Sequence, residues 1–218
     1  MYSSERNVDS IVQQGYTVKI GDYIQRGWGV MQQNLGGFIG FTVVIVLISL
    51  IPAALGQRLG PLASLAVNVI SPILLAGYLI VAFKILKRQS TTFNDFFQGF
   101  SNFLPIFLTS LLVSIFTFLG FLVLILPGVF LAVAYAFSIP FVVGRKFDFW
   151  EAMEASRKVV TKNWFPMFLF LLAIVVLNVV GALLLGVGLL FTIPLSYCAI
   201  AVAFEDIVGL PISDSSIA

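Results

Sequence analysis

Apolar residues in this chain come in long blocks, and between the blocks apolar and polar positions alternate with a helical period. Residues 37–56 and 62–83 are each largely apolar, matching the roughly 20 residues a helix needs to cross a bilayer. The polar stretch KILKRQSTTFNDFFQGFSN follows. Residues 104–144 then run apolar without a break, too long for one crossing. Pro127-Gly128 near the middle predicts a turn that divides the run into 104–126 and 128–144. The second piece is short and contains Pro140, which predicts a tilted or kinked span. Residues 165–204 repeat the situation, with a turn expected around Gly186 and Gly188 in LLLGVGLL. The pattern predicts an all-α membrane protein, one polytopic domain over residues 1–218, with six transmembrane helices paired as three hairpins.

Between the blocks the period shifts to about 3.6. In DFWEAMEASRKVVTKNW, residues 148–164, the residues Phe149, Met153, Val160 and Trp164 share one helical face. Glu151, Glu154, Lys158 and Lys162 share the opposite one. Glu154 and Lys158 form an i,i+4 pair in the favourable order. Asp148 and Glu151 have the spacing of an N-terminal cap. Arg157 falls at the boundary, where its stem can lie on apolar surface. TTFNDFFQGFSN sets Phe93, Phe96, Phe97 and Phe100 against Asn94, Asp95, Gln98 and Ser101. IGDYIQRGWGVMQQN sets Ile20, Tyr23, Ile24, Trp28 and Met31 against Gln25, Arg26, Gln32 and Gln33. Each stretch predicts an amphipathic helix lying at the membrane surface.

The three stretches end alike. Asn34, Asn102 and Asn163 are followed by Leu35, Phe103 and Trp164, and then by the breakers Gly37, Pro105 and Pro166. Asn is compatible with a left-handed helix end, and Pro suits the first turn of the next helix. One unit, an interfacial helix followed by a membrane hairpin, is therefore expected three times, over about 20–83, 91–144 and 148–204. Internal repeats of this kind recur in membrane proteins. The units are expected to superpose.

Composition agrees with this reading: 60% of residues are hydrophobic, 10% are charged and the mean hydropathy is +1.06. Charge placement adds orientation. Arg6, Lys19 and Arg26 precede the first span; Lys84, Lys87 and Arg88 follow the second; Arg145, Lys146, Arg157, Lys158 and Lys162 follow the fourth. Of the 12 basic residues only Arg58 falls in a hairpin turn. The positive-inside rule then puts both termini and the basic loops in the cytoplasm. The first 35 residues are polar with mixed charge, and no cleavable signal peptide is expected.

The candidate chemistry is sparse. The chain has no histidine and a single cysteine, Cys198. The carboxylates Glu5, Asp9, Asp22, Asp95, Asp148, Glu151, Glu154, Glu205, Asp206 and Asp214 all lie outside span interiors, so no intramembrane charge marks an ion or proton path. Asn68 and Asn178 are the most polar side chains within the spans. They are either a shared polar site for a substrate or two interhelical hydrogen bonds, each worth about 0.6–2 kcal/mol. Arg145, Lys146, Arg157, Lys158 and Lys162 are candidate contacts for anionic lipid headgroups, or simply a solvated face that sets topology. No cofactor, metal site, catalytic cluster or nucleic-acid partner is predicted. A nucleophilic Cys198 or Ser196 would need a base, and none stands near either in sequence.

GDYIQRGWGVMQQNLGGF, LPGVFLAVAYAFSIPFVV and EAMEASRKVVTKNWFPMF resemble the bacterial, including cyanobacterial, integral membrane proteins related to the membrane domain of some glycerophosphodiester phosphodiesterases. The resemblance covers roughly residues 18–205. It implies six spans and a bacterial inner or cyanobacterial membrane. It does not imply a phosphodiesterase, whose activity resides in a separate histidine-containing barrel.

These observations lead to the expectation of a non-enzymatic accessory or scaffold protein that acts through membrane lipids, through other membrane proteins or through a second copy of itself. The alternative is a transporter or flippase of a lipidic or small apolar substrate. A transporter is expected to have a central polar cavity lined by Asn68 and Asn178. A scaffold is expected to have a filled core and an exposed apolar patch.

Overall fold

The computed structural model describes residues 7–184 and 186–211, apart from the side chain of Gln57. Glu5, Arg6 and Asp214, and Leu185 of the last turn, lie outside the described residues. The described chain is all-helical, without strands. Its elements are α1 (Val8–Gln14), α2 (Ile20–Gln32), α3 (Leu35–Ala54), α4 (Gly56–Leu86), the 3-10 helix Phe93–Asn102, α5 (Phe103–Val123), α6 (Ile125–Ala134), α7 (Ser138–Arg145), α8 (Phe149–Lys162), α9 (Trp164–Leu183) and α10 (Leu189–Ile207). Six helical segments are long and apolar enough to cross a membrane.

The six segments divide into inner and outer ones. In their most apolar stretches, α3, the α5 segment and α9 are 17%, 17% and 22% buried inside the protein, whereas α4, α6–α7 and α10 are 61%, 44% and 56% buried. Along the chain the first, third and fifth segments are peripheral and the second, fourth and sixth are central. The outer helices carry rows of exposed large apolar side chains, such as Leu47 and Leu50 on α3, Phe118 and Leu122 on α5 and Val175, Val179 and Leu183 on α9. A surface this apolar belongs against acyl chains rather than water.

Several boundaries differ from the sequence expectation. The turn in the 104–144 run falls at Leu124, which is extended (φ −165°, ψ 159°). Pro127-Gly128 instead sits in the first turn of α6, where a missing N–H leaves nothing unpaired. The fourth segment is broken rather than bent, at residues 135–137 between α6 and α7. Pro140 cannot donate to the carbonyl four residues back, which is at Ala136 inside the break. Ser156 of α8 fills the gap: its hydroxyl donates to the Ala134 carbonyl (2.8 Å) and accepts from the Phe137 amide (3.1 Å). The junction asparagines are not left-handed, with φ of −143°, −117° and −131° at Asn34, Asn102 and Asn163. They stand at the starts of the next helices, and Asn34 accepts from the Gly37 amide at 3.2 Å. Asp148 precedes α8 but its side chain makes no capping bond.

The polar stretches pack inward more than an interfacial position requires. On α8 the buried set is Ala152, Met153, Ala155, Ser156, Val159 and Val160, while Phe149 and Trp164 are only partly buried. Small residues let α8 approach α7 closely. The middle stretch is a 3-10 helix, with about three residues per turn. Asp95 therefore leaves the expected polar face and is 5% exposed, whereas Phe93 is 46% exposed. The 3-10 helix lies so close to α4 that a Cβ on Gly77 would collide with the Phe96 carbonyl oxygen. On α2, a Cβ on Gly27 would come within 2.8 Å of the Ala199 backbone of α10. α1, which the hydrophobic pattern does not predict, rests on α8.

Candidate functional site: a central cleft and a basic recess

Three inner helices meet in an aromatic cluster. The ring of Phe204 (α10) lies 5.6 Å from Phe83 (α4), 5.5 Å from Phe137 and 4.9 Å, edge-on, from Phe141 (α7). Gly144 completes it, and a Cβ there would stand 3.1 Å from both Phe83 and Phe204. One or two helical turns away from this cluster, the inner helices part.

The space between them is a half-open cleft of about 570 Å³. Its walls are mostly apolar: Leu75 and Leu79 of α4, Ala132 of α6, Ile139 and Pro140 of α7, and Leu171 of α9. Asn68, Ser71, Ser110 and Tyr197 add polar groups. The volume follows from residue choice, because Ala132, Ala136 and Pro140 of the α6–α7 segment face leucines on α4 and cannot fill the gap between the helix axes. Tyr197 is held by stacking on Tyr78 at 5.3 Å, whose hydroxyl shares a 2.7 Å hydrogen bond with Thr42 of α3.

The two asparagines do not form one site. Asn68 lines the cleft. Asn178 lies between α9 and α10, where its amide donates to the Ile174 carbonyl (2.9 Å) and the Ser196 hydroxyl (2.7 Å). Its own carbonyl oxygen is buried without a hydrogen bond. Cys198 of α10 is fully buried.

Beyond the aromatic cluster lies a second hollow of about 400 Å³. Lys84 of α4, Lys87 just after α4 and Lys146 after α7 line it, with Gln98, Ser101 and Asn102 of the 3-10 helix and the apolar Ile80, Phe83 and Val143. Lys84 is held in place by Asp95, which accepts from it at 2.7 Å, from the Gln98 amide at 2.6 Å and from the Thr92 backbone at 2.8 Å. Lys146 is left-handed at φ 56°, a conformation that glycine adopts at lower cost.

The predicted basic residues thus separate. Arg145 donates to the Val208 carbonyl at 2.6 Å and to Gly209 at 3.3 Å, tying α7 to the end of α10. Arg157 forms a two-pronged pair with Glu154, 2.7 and 3.0 Å. Lys158 stands 3.6 Å from the same carboxylate. The Arg157 hydrogen bonds hold the Glu154 carboxyl below its ordinary value against a smaller opposing effect of burial, and they raise Arg157 in turn. Lys162 is exposed. Lys146 alone of the five joins Lys84 and Lys87, a grouping that no local pattern signals because Lys146 lies in a different polar stretch of the sequence from the other two.

In class, the described residues form an all-helical protein with six helical segments suited to cross a membrane, the makeup of a multi-pass membrane protein. No family model, no curated protein and no solved structure matches it.

Proposed function

We propose that this chain is a non-enzymatic integral membrane accessory protein that holds lipid within its bundle and acts through that lipid or through the membrane proteins it meets. The observation that carries the reading is the cleft: about 570 Å³, walled chiefly by Leu, Ile, Ala and Pro, with only a few polar groups. Ligand sites of roughly 300–1,000 Å³ with this balance suit apolar molecules that carry a small polar handle. The membrane is a bacterial inner or cyanobacterial one, in keeping with the resemblance of the junction motifs. The three units are repeats about a pseudo-threefold axis. Phe83, Gly144 and Phe204, spaced roughly 60 residues apart, meet at that axis. The amphipathic stretch of each unit lies on an inner helix, α2 on α10, the 3-10 helix on α4 and α8 on α7.

The test is to fill the cleft. Ala132→Trp and Ser110→Phe reduce the lipid that stays with the protein through detergent purification, measured by native mass spectrometry. Unchanged lipid retention in both variants overturns the reading. Orientation is tested by cysteines placed at Arg58, Lys87 and Lys162 in a Cys198→Ala background. An impermeant reagent on intact cells reacts at position 58 alone; reaction at 87 or 162 without 58 overturns cytoplasmic termini.

A second reading, transport or flipping of a lipidic substrate, is favoured by one observation. The Phe83–Phe141–Phe204 cluster stands between the cleft and the basic end of the inner helices, as a closed gate would. Exchange of a fluorescent lipid between vesicle leaflets, accelerated by Phe204→Ala, supports transport; no exchange above empty vesicles rejects it.

A further inference from the structure

The geometry points to the recess of Lys84, Lys87 and Lys146 as a headgroup site for an anionic phospholipid. We infer that it selects a phosphate-bearing headgroup while the acyl chains run along the apolar seam between α4 and α7. This inference rests on the lipid-holding reading above and adds to it the chemical class of the lipid.

Four features converge. The first is charge. Three ammonium groups line the recess, and among the described residues no carboxylate lines it with them. Asp95, the acid that Lys84 meets, is 5% exposed and is taken up by Lys84, Gln98 and the Thr92 amide. An ammonium has three donors, so one bond to Asp95 leaves Lys84 able to reach a further oxygen. The second is depth. Leu75, Leu79 and Phe83 follow one another at four-residue spacing on one face of α4, with Lys87 four residues further on and Lys84 on the adjoining face. At about 1.5 Å per residue, the step from the apolar wall to the lysines matches the step from acyl chain to headgroup. Ile139, Pro140, Val143 and Lys146 repeat that order on α7.

The third feature is the mixed lining. Ile80, Phe83 and Val143 share the recess with the lysines, a combination that suits the glycerol region of a lipid better than a free inorganic anion. The fourth is backbone geometry. Lys146 holds a left-handed conformation that glycine adopts more readily, and its side chain lines the recess. The basic residues of α8 lack comparable surroundings. Arg157 and Lys158 share Glu154 on an exposed face.

The experiment uses the full chain in mixed micelles containing equal phosphatidylglycerol and phosphatidylcholine, with bound lipid counted by native mass spectrometry. The wild type retains phosphatidylglycerol in preference. Each basic group near an anionic surface is worth roughly 1 kcal/mol, so Lys87→Gln combined with Lys146→Asn lowers that preference at least tenfold. Asn is chosen at 146 because it tolerates the left-handed turn. Lys158→Gln combined with Lys162→Gln, the control, leaves the preference intact. Lys87→Glu with Lys146→Glu inverts it, which separates a charge effect from a loose fold.

Unchanged preference in the 87/146 variants, or an equal loss in the 158/162 control, overturns the assignment. A third arm adds glycerol 1-phosphate and inorganic phosphate at millimolar concentration. Displacement of phosphatidylglycerol by either ion assigns the recess to a soluble anion and overturns the lipid. If the recess variants keep their preference while Ala132→Trp still strips lipid, the headgroup site fails and the lipid-holding reading stands. If the wild type retains no lipid at all, both fail together.

Discussion

Helix α4 meets α10 on one flank and α7 on the other, and the two seams are built differently. Toward α10 the chain places large rings at matched heights: Tyr78 stacks on Tyr197 at 5.3 Å and Phe83 meets Phe204 at 5.6 Å. Toward α7 the facing residues are Ala136, Ile139 and Pro140, and the helix itself is interrupted at 135–137. Protein interiors pack to near-crystal density, so the missing side-chain volume appears as the cleft. Both seams are apolar. What separates a filled contact from a binding space here is residue size and one helix break, not polarity.

The largest test of that contrast is truncation on the closed side. Phe204→Ala removes a fully buried ring that touches Phe83, Phe137 and Phe141, and it should cost about 3–5 kcal/mol. Ile139→Ala borders space that is already open and should cost well under half as much. Unfolding in detergent with a chemical denaturant compares them; equal losses would erase the distinction between the seams.

Next in size is close approach. Gly27→Val drives a side chain into the Ala199 backbone, where nothing flexible can yield, and should cost about 1–3 kcal/mol. Gly36, with open space around its Cβ position, tolerates Ala in the same assay. Smaller effects separate the asparagines. Asn178→Leu loses the Ser196 bond and should destabilise by about 0.6–2 kcal/mol. Asn68→Leu enlarges the apolar wall of the cleft and leaves stability unchanged or raised. A large loss at 68 would show that Asn68 is bonded within the bundle.

The smallest effect is a pH dependence on α8. Glu154 is held below its ordinary value by Arg157, so its contribution is present at neutral pH, above the unfolded value, and is lost as pH falls through the lowered folded one. Its side chain is 39% exposed, and solvent screening limits the contribution to about 0.2–0.5 kcal/mol. Glu154→Gln removes this part of the acid sensitivity. Thermal unfolding at pH 7 and pH 3, with and without the substitution, measures it.

How much of this was readable in advance varies with the range of the interaction. The apolar blocks, the number of spans and the position of the polar stretches follow from local composition and period. Pro140 marked the weak fourth span, although only Ser156, sixteen residues later, made a clean break tolerable by satisfying Ala134 and Phe137. Asn178 stood out as a polar group in an apolar run. Ser196 stands out in the sequence only as a nucleophile without a base; its role as the partner of Asn178 carries no signal until α9 and α10 are placed side by side. The inward face of α8 is legible only in part: Met153 and Val160 turn inward as expected, but Ala152, Ala155 and Ser156, also buried, are too small to weigh in a hydrophobic pattern, although their smallness is what lets α8 dock. Asp95 was assigned to the wrong side because the 3-10 geometry changes the angular step per residue.

The sequence by itself therefore determined that the chain must meet a bilayer, since about 20-residue apolar blocks leave no other solvent in which their backbone and side chains are satisfied. It also determined where the charges gather along the chain. Only the tertiary structure decided which charges become neighbours and which seam stays open. Lys146 joins Lys84 and Lys87, and Arg145 turns away to the end of α10. Those outcomes depend on helix register and on the volume of facing side chains, quantities that a one-dimensional pattern does not contain.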